Sequence, residues 1–190
     1  VIFGDGAGAV VLQPTNEAGK GILSTHLHSD GAYAEKLAMY YPGASGGIWL
    51  DEKPKWPEQE LGGMLMTAEM LENGTAFPVM DGQTVFKKAV VKFPEVIGEA
   101  LTKNNLTTQD IDLLVPHQAN LRISQFIQKT LKLNDDQVFN NIQKYGNTTA
   151  ASVPIALCEA WEAGKIKDGD LICLAAFGAG FTWGSALIRW

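Results

Sequence analysis

The chain has 190 residues, of which 46% are hydrophobic and 19% are charged. This composition supports a sizeable core and excludes an intrinsically disordered chain, and the formal charge of −6 argues against nucleic acid as the main partner. No apolar run approaches the roughly 20 residues that span a bilayer, and two cysteines are too few for a disulfide scaffold. The length predicts one domain, or one domain with part of another.

The N-terminal third predicts strands first and a long irregular stretch afterwards. Residues 1–12 are apolar and interrupted by glycines, and residues 21–28 alternate in part, so both predict strands. The first residues resemble the middle of a strand and show no signal-peptide pattern, so we expect the chain to begin inside a longer protein. Residues 40–57 predict a loop, and residues 58–73 predict a helix that Asn73-Gly74 ends.

The remainder alternates helices and strands. Residues 82–104 predict two helices, because Pro94 is expected to end or kink a single one. A short buried strand is predicted at residues 110–116, and an amphipathic helix at 119–131. A brief strand at 138–139 and a helix at 149–164 follow, and residues 170–176 and 181–189 predict a closing hairpin. This alternation predicts an α/β layered fold.

The glycine-rich start fits a loose dinucleotide-binding pattern. Gly4-Asp-Gly6-Ala-Gly8-Ala9 matches G-x-G-x-x-G/A, but that pattern has its physical meaning only when a helix follows. Here Val10-Val11-Leu12-Gln13-Pro14 follows, which is β-like and then broken. We therefore interpret the glycines as sites of close strand packing.

The histidine pair and the cysteines predict no separate site. His26 and His28 share one strand face without a ligand cluster beside them, which is typical of ordinary strand histidines. Cys158 and Cys173 lie mid-helix and in an apolar strand, where no helix N-terminus or cation lowers the pKa of a thiol. We expect both cysteines to be buried and unreactive.

The strongest signals are three clusters at predicted strand ends and helix starts. His117 and Gln118 come directly after a buried strand, where open α/β sheets bind ligands. Asn147 lies in a Gly-Asn turn before a helix, a pattern that also fits a plain turn residue followed by an N-cap at Thr149. Residues 177–181 either present backbone amides to a ligand or form a tight hairpin.

These clusters occur together and in order, as VPHQANLRI, YGNTTAASVP and FGAGFTWGSALIRW, and FGDGAGAVVL and GILSTHLHSDG precede them. Together they resemble the β-ketoacyl-acyl-carrier-protein (ACP) synthase III family, along the whole chain except the stretch around residues 40–78. The resemblance implies a thiolase-like layered α/β fold, with a mixed sheet packed with helices. It assigns residues 1–14 to the end of an N-terminal half and residues 18–190 to the C-terminal half.

The resemblance also implies a chemistry. The family initiates fatty-acid synthesis by a decarboxylating Claisen condensation of acyl-CoA with malonyl-ACP, and its catalytic set is Cys, His and Asn. His117 and Asn147 match the last two, and their N–H donors would stabilise the developing enolate. Neither cysteine of this chain matches the nucleophile, so we expect the 190 residues alone to be inactive. The other matched positions are the Ala179 backbone N–H in an oxyanion hole, Asn120, Gly82, Gln83 and Phe86 for CoA, and Arg122 for acyl carrier protein.

The resemblance implies no metal and no cofactor beyond the CoA thioester substrates, and it implies a cytoplasmic homodimer that binds neither nucleic acid nor membrane. Ala179 and Gln83 stand where relatives commonly have Gly and Asn, and residues 40–78 are longer and more aromatic than in short-loop members. The acyl-chain preference therefore stays open. Two alternatives also stay open: a Cys-His-Asn condensing enzyme of secondary metabolism with CoA acceptors, and a non-catalytic thiolase-like binding lobe.

Overall fold

A computed structural model describes residues 3–39, 68–74 and 76–190. The loop predicted at 40–57 and most of the helix predicted at 58–73 lie outside these ranges. The chain forms two compact units: a major unit of residues 1–28, 86–177 and 182–190, and a minor unit of residues 29–85 and 178–181. The domain boundary expected between residues 14 and 18 stays a prediction.

The described residues contain six strands: β1 (Gly21–Ser29), β2 (Leu37–Ala38), β3 (Val79–Met80), β4 (Leu113–Pro116), β5 (Leu171–Gly178) and β6 (Thr182–Arg189). The main sheet has the order β1-β6-β5-β4, and β2 pairs antiparallel with β3 in a sheet of their own. β4 runs parallel to β5, with Leu113 opposite Ile172. β5 and β6 are adjacent and joined by three residues, which requires an antiparallel pair. The sheet is therefore mixed, as predicted.

The described α-helices are α1 (Ala68–Glu72), α2 (Gly82–Lys103), α3 (Leu121–Leu131), α4 (Ile142–Tyr145) and α5 (Ser152–Glu162). Short 3₁₀ helices lie at Gly31–Lys36, Thr108–Asp110, Asp135–Gln137 and Thr149–Ala151. The brief strand predicted at 138–139 is a single parallel bridge between Val138 and Leu114.

α2 corrects the prediction of two helices, because it runs through Pro94 without ending. A proline inside a helix removes one backbone hydrogen bond, and its ring crowds the carbonyl four residues earlier. The same helix buries a continuous apolar face, made of Ala89, Phe93, Val96, Ile97, Ala100 and Leu101. Burial of that face on both sides of Pro94 outweighs the local loss, so tertiary packing decides the helix length.

The core of the major unit lies on both faces of the main sheet. On one face, α5 packs against β4 and β5 through a cluster that includes Val115, Ala156 and Ile172. On the other face, the Ser185 hydroxyl of β6 donates to the Val96 carbonyl of α2 at 2.9 Å. Because alternate strand residues point to opposite faces, the sheet is covered by helices on both sides.

The N-terminal segment differs from the predicted strand. Residues 4–16 contain no strand, and Phe3 forms a single parallel bridge with Asn147. A Cβ atom at Gly4 would collide with the Tyr145 carbonyl oxygen, and one at Gly6 would lie 2.9 Å from Thr148 Cβ. The prediction of close strand packing is therefore confirmed for the close approach of the backbone and wrong for the strand, since residues 4–16 form none.

Candidate active site at the ends of two segments

His117 directly follows β4, and backbone pairing continues through it. Its N–H donates to the Ala175 carbonyl of β5 at 2.8 Å. The side chain is half-buried, and its Nδ1 atom lies 2.6 Å from the Ser152 hydroxyl oxygen. Burial lowers the pKa of His117 below 6.5, because desolvation disfavours the imidazolium. The imidazole is therefore neutral at pH 7, and its Nε2 has no hydrogen-bond partner among the described residues.

Gln118 ties the end of β4 to the segment that precedes Asn147. Its buried carboxamide nitrogen donates to the Pro116 carbonyl at 2.7 Å. Its carboxamide oxygen accepts from the backbone N–H groups of Asn141 and Ile142, at 3.0 and 3.2 Å. These N–H groups lie at the start of α4, where the helix itself offers no acceptor. One buried side chain therefore couples the His117 strand end to α4.

Asn147 is held at both its backbone and its side chain. Its carbonyl accepts from the Gly4 N–H at 2.8 Å. Its Oδ1 accepts from the Thr149 N–H at 2.8 Å, and because that partner is a donor, the facing atom must be the amide oxygen. The Nδ2 group then points elsewhere, and it has no hydrogen-bond partner among the described residues. This geometry fits both a turn residue and an available amide donor.

The two candidate donors are anchored to one short stretch of chain. His117 contacts Ser152, the first residue of α5, and Asn147 contacts Thr149, the first residue of the preceding 3₁₀ helix. These anchors are three residues apart, which corresponds to about 6 Å of helical rise. Thr149 also has a positive φ of 53°, a rare conformation for a β-branched residue. The four residues from Thr149 to Ser152 therefore contact both polar groups, Asn147 through a local turn and His117 from a distant strand end.

Glu159 of α5 stabilises the segment before Asn147 from its other side. Its carboxylate accepts from the Tyr145 hydroxyl at 2.6 Å, from the Lys144 ammonium at 3.1 Å and from the Asn141 amide at 2.8 Å. The Tyr145 hydrogen bond is the main reason that the pKa of Glu159 lies below its usual range. α4 is thus joined to α5 directly ahead of Asn147.

The predicted acyl-carrier and CoA residues of the major unit lie on α2 and α3. Asn120 is the N-cap of α3, and its side chain accepts from the Arg122 N–H at 2.9 Å. Arg122 is exposed and has no ion-pair partner among the described residues. Phe86 of α2 makes an edge-to-face contact with Phe126 of α3, with ring centroids 6.5 Å apart. The roles assigned to Asn120, Arg122 and Phe86 stay predictions.

The remaining predicted positions belong to the minor unit. Gly82 and Gln83 are exposed and form the start of α2. Asp81 caps that helix by accepting from the Thr84 N–H at 3.1 Å. Ala179 is exposed in the turn between β5 and β6. Their predicted contacts with CoA and with an oxyanion stay predictions.

The cysteine prediction is correct for one residue and wrong for the other. Cys173 is buried in β5, and burial raises the pKa of its thiol to about 12. Cys158 is exposed on α5, because it lies one position beyond the buried face that contains Ala156, Leu157 and Ala160. Among the described residues, no group of three His, Cys, Asp or Glu side chains is arranged to hold a metal ion.

Sequence reasoning missed Ser152 and Glu159, and it noticed Gln118 only as a neighbour of His117. Each lies in or beside a motif that was noticed, but each acts on a residue 18 to 35 positions away. A serine at the start of an otherwise apolar helix is the signal that pointed most directly to such a role. The family resemblance singled out His117 and Asn147 but not the side chains that contact them.

Two family models match this chain. The 3-oxoacyl-[acyl-carrier-protein] synthase III C-terminal model matches residues 101–190, and the 3-oxoacyl-[acyl-carrier-protein] synthase III model matches residues 1–31. The chain belongs to this family. The C-terminal match contains both candidate donors and the two residues, Ser152 and Thr149, that contact their side chains.

Individual synthase III proteins agree with the family models. The β-ketoacyl-ACP synthase III proteins of Microcystis aeruginosa and Clostridioides difficile are 46% and 47% identical to this chain over 191 and 190 residues. Both matches cover 100% of this chain and 52% of the relative, so the chain spans about half the length of these relatives. The synthase III structure from Aquifex aeolicus matches 93% of this chain and 46% of its own, with 35% identity and a TM-score of 0.72. The predicted family and thiolase-like α/β fold are confirmed.

Proposed function

We propose that these residues supply the decarboxylation site of a β-ketoacyl-ACP synthase III, an acyltransferase that condenses acyl-CoA with malonyl-ACP. Membership of the synthase III family supports the reaction class. The observation that carries the proposal is the attachment of His117 and Asn147 to the same stretch, through Ser152 and Thr149. A binding lobe without catalysis has no need for two neutral donors that are held in this way.

The chemistry follows from the two donors. When the malonyl group loses CO₂, the electrons of the broken C–C bond move onto the thioester and place negative charge on its carbonyl oxygen. The His117 Nε2–H and the Asn147 Nδ2–H stabilise that oxygen, and each preorganised donor of this kind contributes about 3–4 kcal/mol. The enolate carbon then attacks the carbonyl of an acyl-cysteine, the C–C bond forms, and the thiolate leaves.

The nucleophilic cysteine is neither of the two in this chain. Cys173 has no exposed surface and a raised pKa, so its thiolate is not available at neutral pH. Cys158 is exposed but lies within α5, away from the helix N-terminus where a thiolate would be stabilised. The 190 residues alone are therefore expected to be inactive in condensation.

The partners of this proposed enzyme are those of the reaction. The residues proposed to contact CoA are Asn120, Gly82, Gln83 and Phe86. The exposed Arg122 would attract the acidic acyl carrier protein. The Ala179 N–H would serve the second oxyanion. A cytoplasmic homodimer belongs to the same proposal. None of the described helices combines the length and the hydrophobicity that a bilayer crossing requires.

The test uses a protein of the relatives' full length that contains residues 1–190. His117→Ala and Asn147→Ala should each lower the rate of CO₂ release from malonyl-ACP by about 10²–10³-fold, because each removes one enolate donor. Transfer of the acyl group from acyl-CoA to the protein involves no enolate, so it should change little. His28→Gln, on β1, is the matched control and should preserve both rates.

Unchanged CO₂ release in both variants would rule out the proposed role of the pair. Release from malonyl-CoA but not from malonyl-ACP would instead favour the related condensing enzymes with CoA acceptors. Circular dichroism shows whether each variant is folded. A variant that is unfolded would lose both partial reactions, whereas a folded variant that lacks a donor should lose only decarboxylation.

A further inference from the structure

The Ser152 hydroxyl lies between two groups of the His117 strand end. Ser152 is the first residue of α5 and is buried, with 2% of its surface exposed. Its Oγ atom lies 2.6 Å from His117 Nδ1 and accepts from the Gln118 N–H at 3.3 Å. These are the hydrogen-bond neighbours of the hydroxyl among the described residues.

The positions of the protons follow from this arrangement. The Gln118 backbone nitrogen is a donor, so the hydroxyl proton of Ser152 has Nδ1 as its acceptor. If Nδ1 carried a proton instead, Oγ would face two donors and its own proton would have no acceptor among the described residues. Buried hydroxyls in folded proteins rarely lack a partner. A neutral imidazole carries one proton, so the proton then lies on Nε2.

We infer that Ser152 is a positioning residue that donates to Nδ1 of His117 and thereby keeps the histidine proton on Nε2. This inference deepens the proposed function and rests on it only for the use of the Nε2–H. The hydroxyl contacts neither substrate nor enolate. It selects one of the two imidazole tautomers and restricts rotation of the ring, as hydrogen bonds to the second ring nitrogen do at other histidine sites.

The direct test is nitrogen-15 NMR of the 190-residue chain labelled at histidine, at pH 7.5. The chain has three histidines, so spectra of His26→Gln and His28→Gln identify the His117 signals. We expect the Nδ1 signal at the position of an unprotonated nitrogen and the Nε2 signal at that of a protonated one. A protonated Nδ1 in the unmutated chain would overturn the inference, without any need for a variant.

The variants test the hydroxyl itself. Ser152→Ala should move the His117 signals towards a mixture of tautomers, whereas Ser152→Thr, which retains a hydroxyl, should restore the Nε2–H form. Ser185→Ala is the matched control, because it removes a buried serine hydroxyl that donates to Val96 instead. It should leave the His117 signals in place. Unchanged tautomers in a folded Ser152→Ala chain would also overturn the inference.

Kinetics in the full-length protein separate this inference from the proposed function. Ser152→Ala should lower CO₂ release from malonyl-ACP about tenfold, the factor that corresponds to one neutral hydrogen bond, with acyl transfer unchanged. Tautomer loss without a change in CO₂ release would show that the reaction does not use the Nε2–H, which contradicts the proposed function. A tenfold kinetic loss with unchanged tautomers would contradict the role of Ser152 alone.

Discussion

Cys158 and Cys173 both follow an apolar residue in a largely apolar stretch of sequence, yet Cys158 is exposed and Cys173 is buried. Neighbours along the chain are not neighbours on a helix face, since successive residues are rotated by about 100°. Leu157 is buried and Cys158, one position on, is exposed. The strand residue Cys173 has no exposed surface because its sheet is covered on both faces.

This difference predicts the reactivity of the two thiols in the 190-residue chain. One thiol per chain should react promptly with a disulfide reagent at pH 8, and the second should react only after denaturant is added. The reason is that Cys173 is inaccessible and its pKa is raised to about 12.

Substitution identifies each thiol. Cys158→Ser should abolish the prompt reaction, and Cys173→Ser should preserve it. Prompt labelling of Cys173 in the folded chain would contradict its burial in β5.

At the scale of elements, Gly146 sets the geometry between α4 and Asn147. Its φ of 67° and ψ of −155° lie in a region that is essentially restricted to glycine. Its N–H also donates to the Ile142 carbonyl at 2.8 Å, which closes α4. The glycine of the Tyr-Gly-Asn motif is therefore required by backbone conformation.

Gly146→Ala should lower the free energy of unfolding by about 1–3 kcal/mol, because alanine is strained in this conformation. Urea denaturation followed by circular dichroism measures the change. The matched control is Gly98→Ala, which lies within α2, where the added methyl group would meet open space. It should raise stability by about 0.5–1 kcal/mol, since alanine favours the helix.

The two substitutions should change the free energy of unfolding in opposite directions, and this contrast tests whether Gly146 needs its backbone conformation. If Gly146→Ala were as favourable as Gly98→Ala, the turn would not need its left-handed conformation. The conformation of Gly146 would then not be what fixes the position of Asn147 after α4.

For the whole molecule, the titratable groups predict how stability depends on pH. His117 has a lowered pKa, so below pH 6.5 the unfolded chain takes up a proton that the folded chain resists. Asp110 and Glu159 have lowered pKa values, because Thr107 and Tyr145 donate to them, and their contributions are lost on acidification. Lys144 has a raised pKa owing to Glu159, so its contribution is lost above its ordinary value of 10.5.

Stability should therefore fall first as the pH drops below 6.5, then further in the range where the carboxylates protonate, and also at strongly alkaline pH. His117→Gln should reduce the loss of stability just below pH 6.5 and preserve the further loss where the carboxylates protonate. Urea denaturation at a series of pH values measures both curves. Parallel curves for the two proteins between pH 7 and pH 5 would show that His117 is not desolvated.

Local sequence rules recovered the strand at 21–28, the short buried strand before His117, the α3 helix and the hairpin that ends the chain. They failed at Pro94, where packing continued a helix. They also failed in the predicted strand at residues 1–12, where residues 4–12 have no ladder partner among the described residues. Both failures concern interactions with residues distant along the chain, which local propensity does not contain.

The amino-acid sequence by itself determined the α/β class and the family resemblance, because short motifs and hydrophobic periodicity are local properties. His117 and Asn147 were singled out through that resemblance. Only the tertiary structure decided that Ser152 contacts His117, that Gln118 joins β4 to α4, and that Cys158 is exposed. Hydrogen-bond partners and burial depend on which distant segments meet. That depends on packing the whole chain, and no single motif contains it.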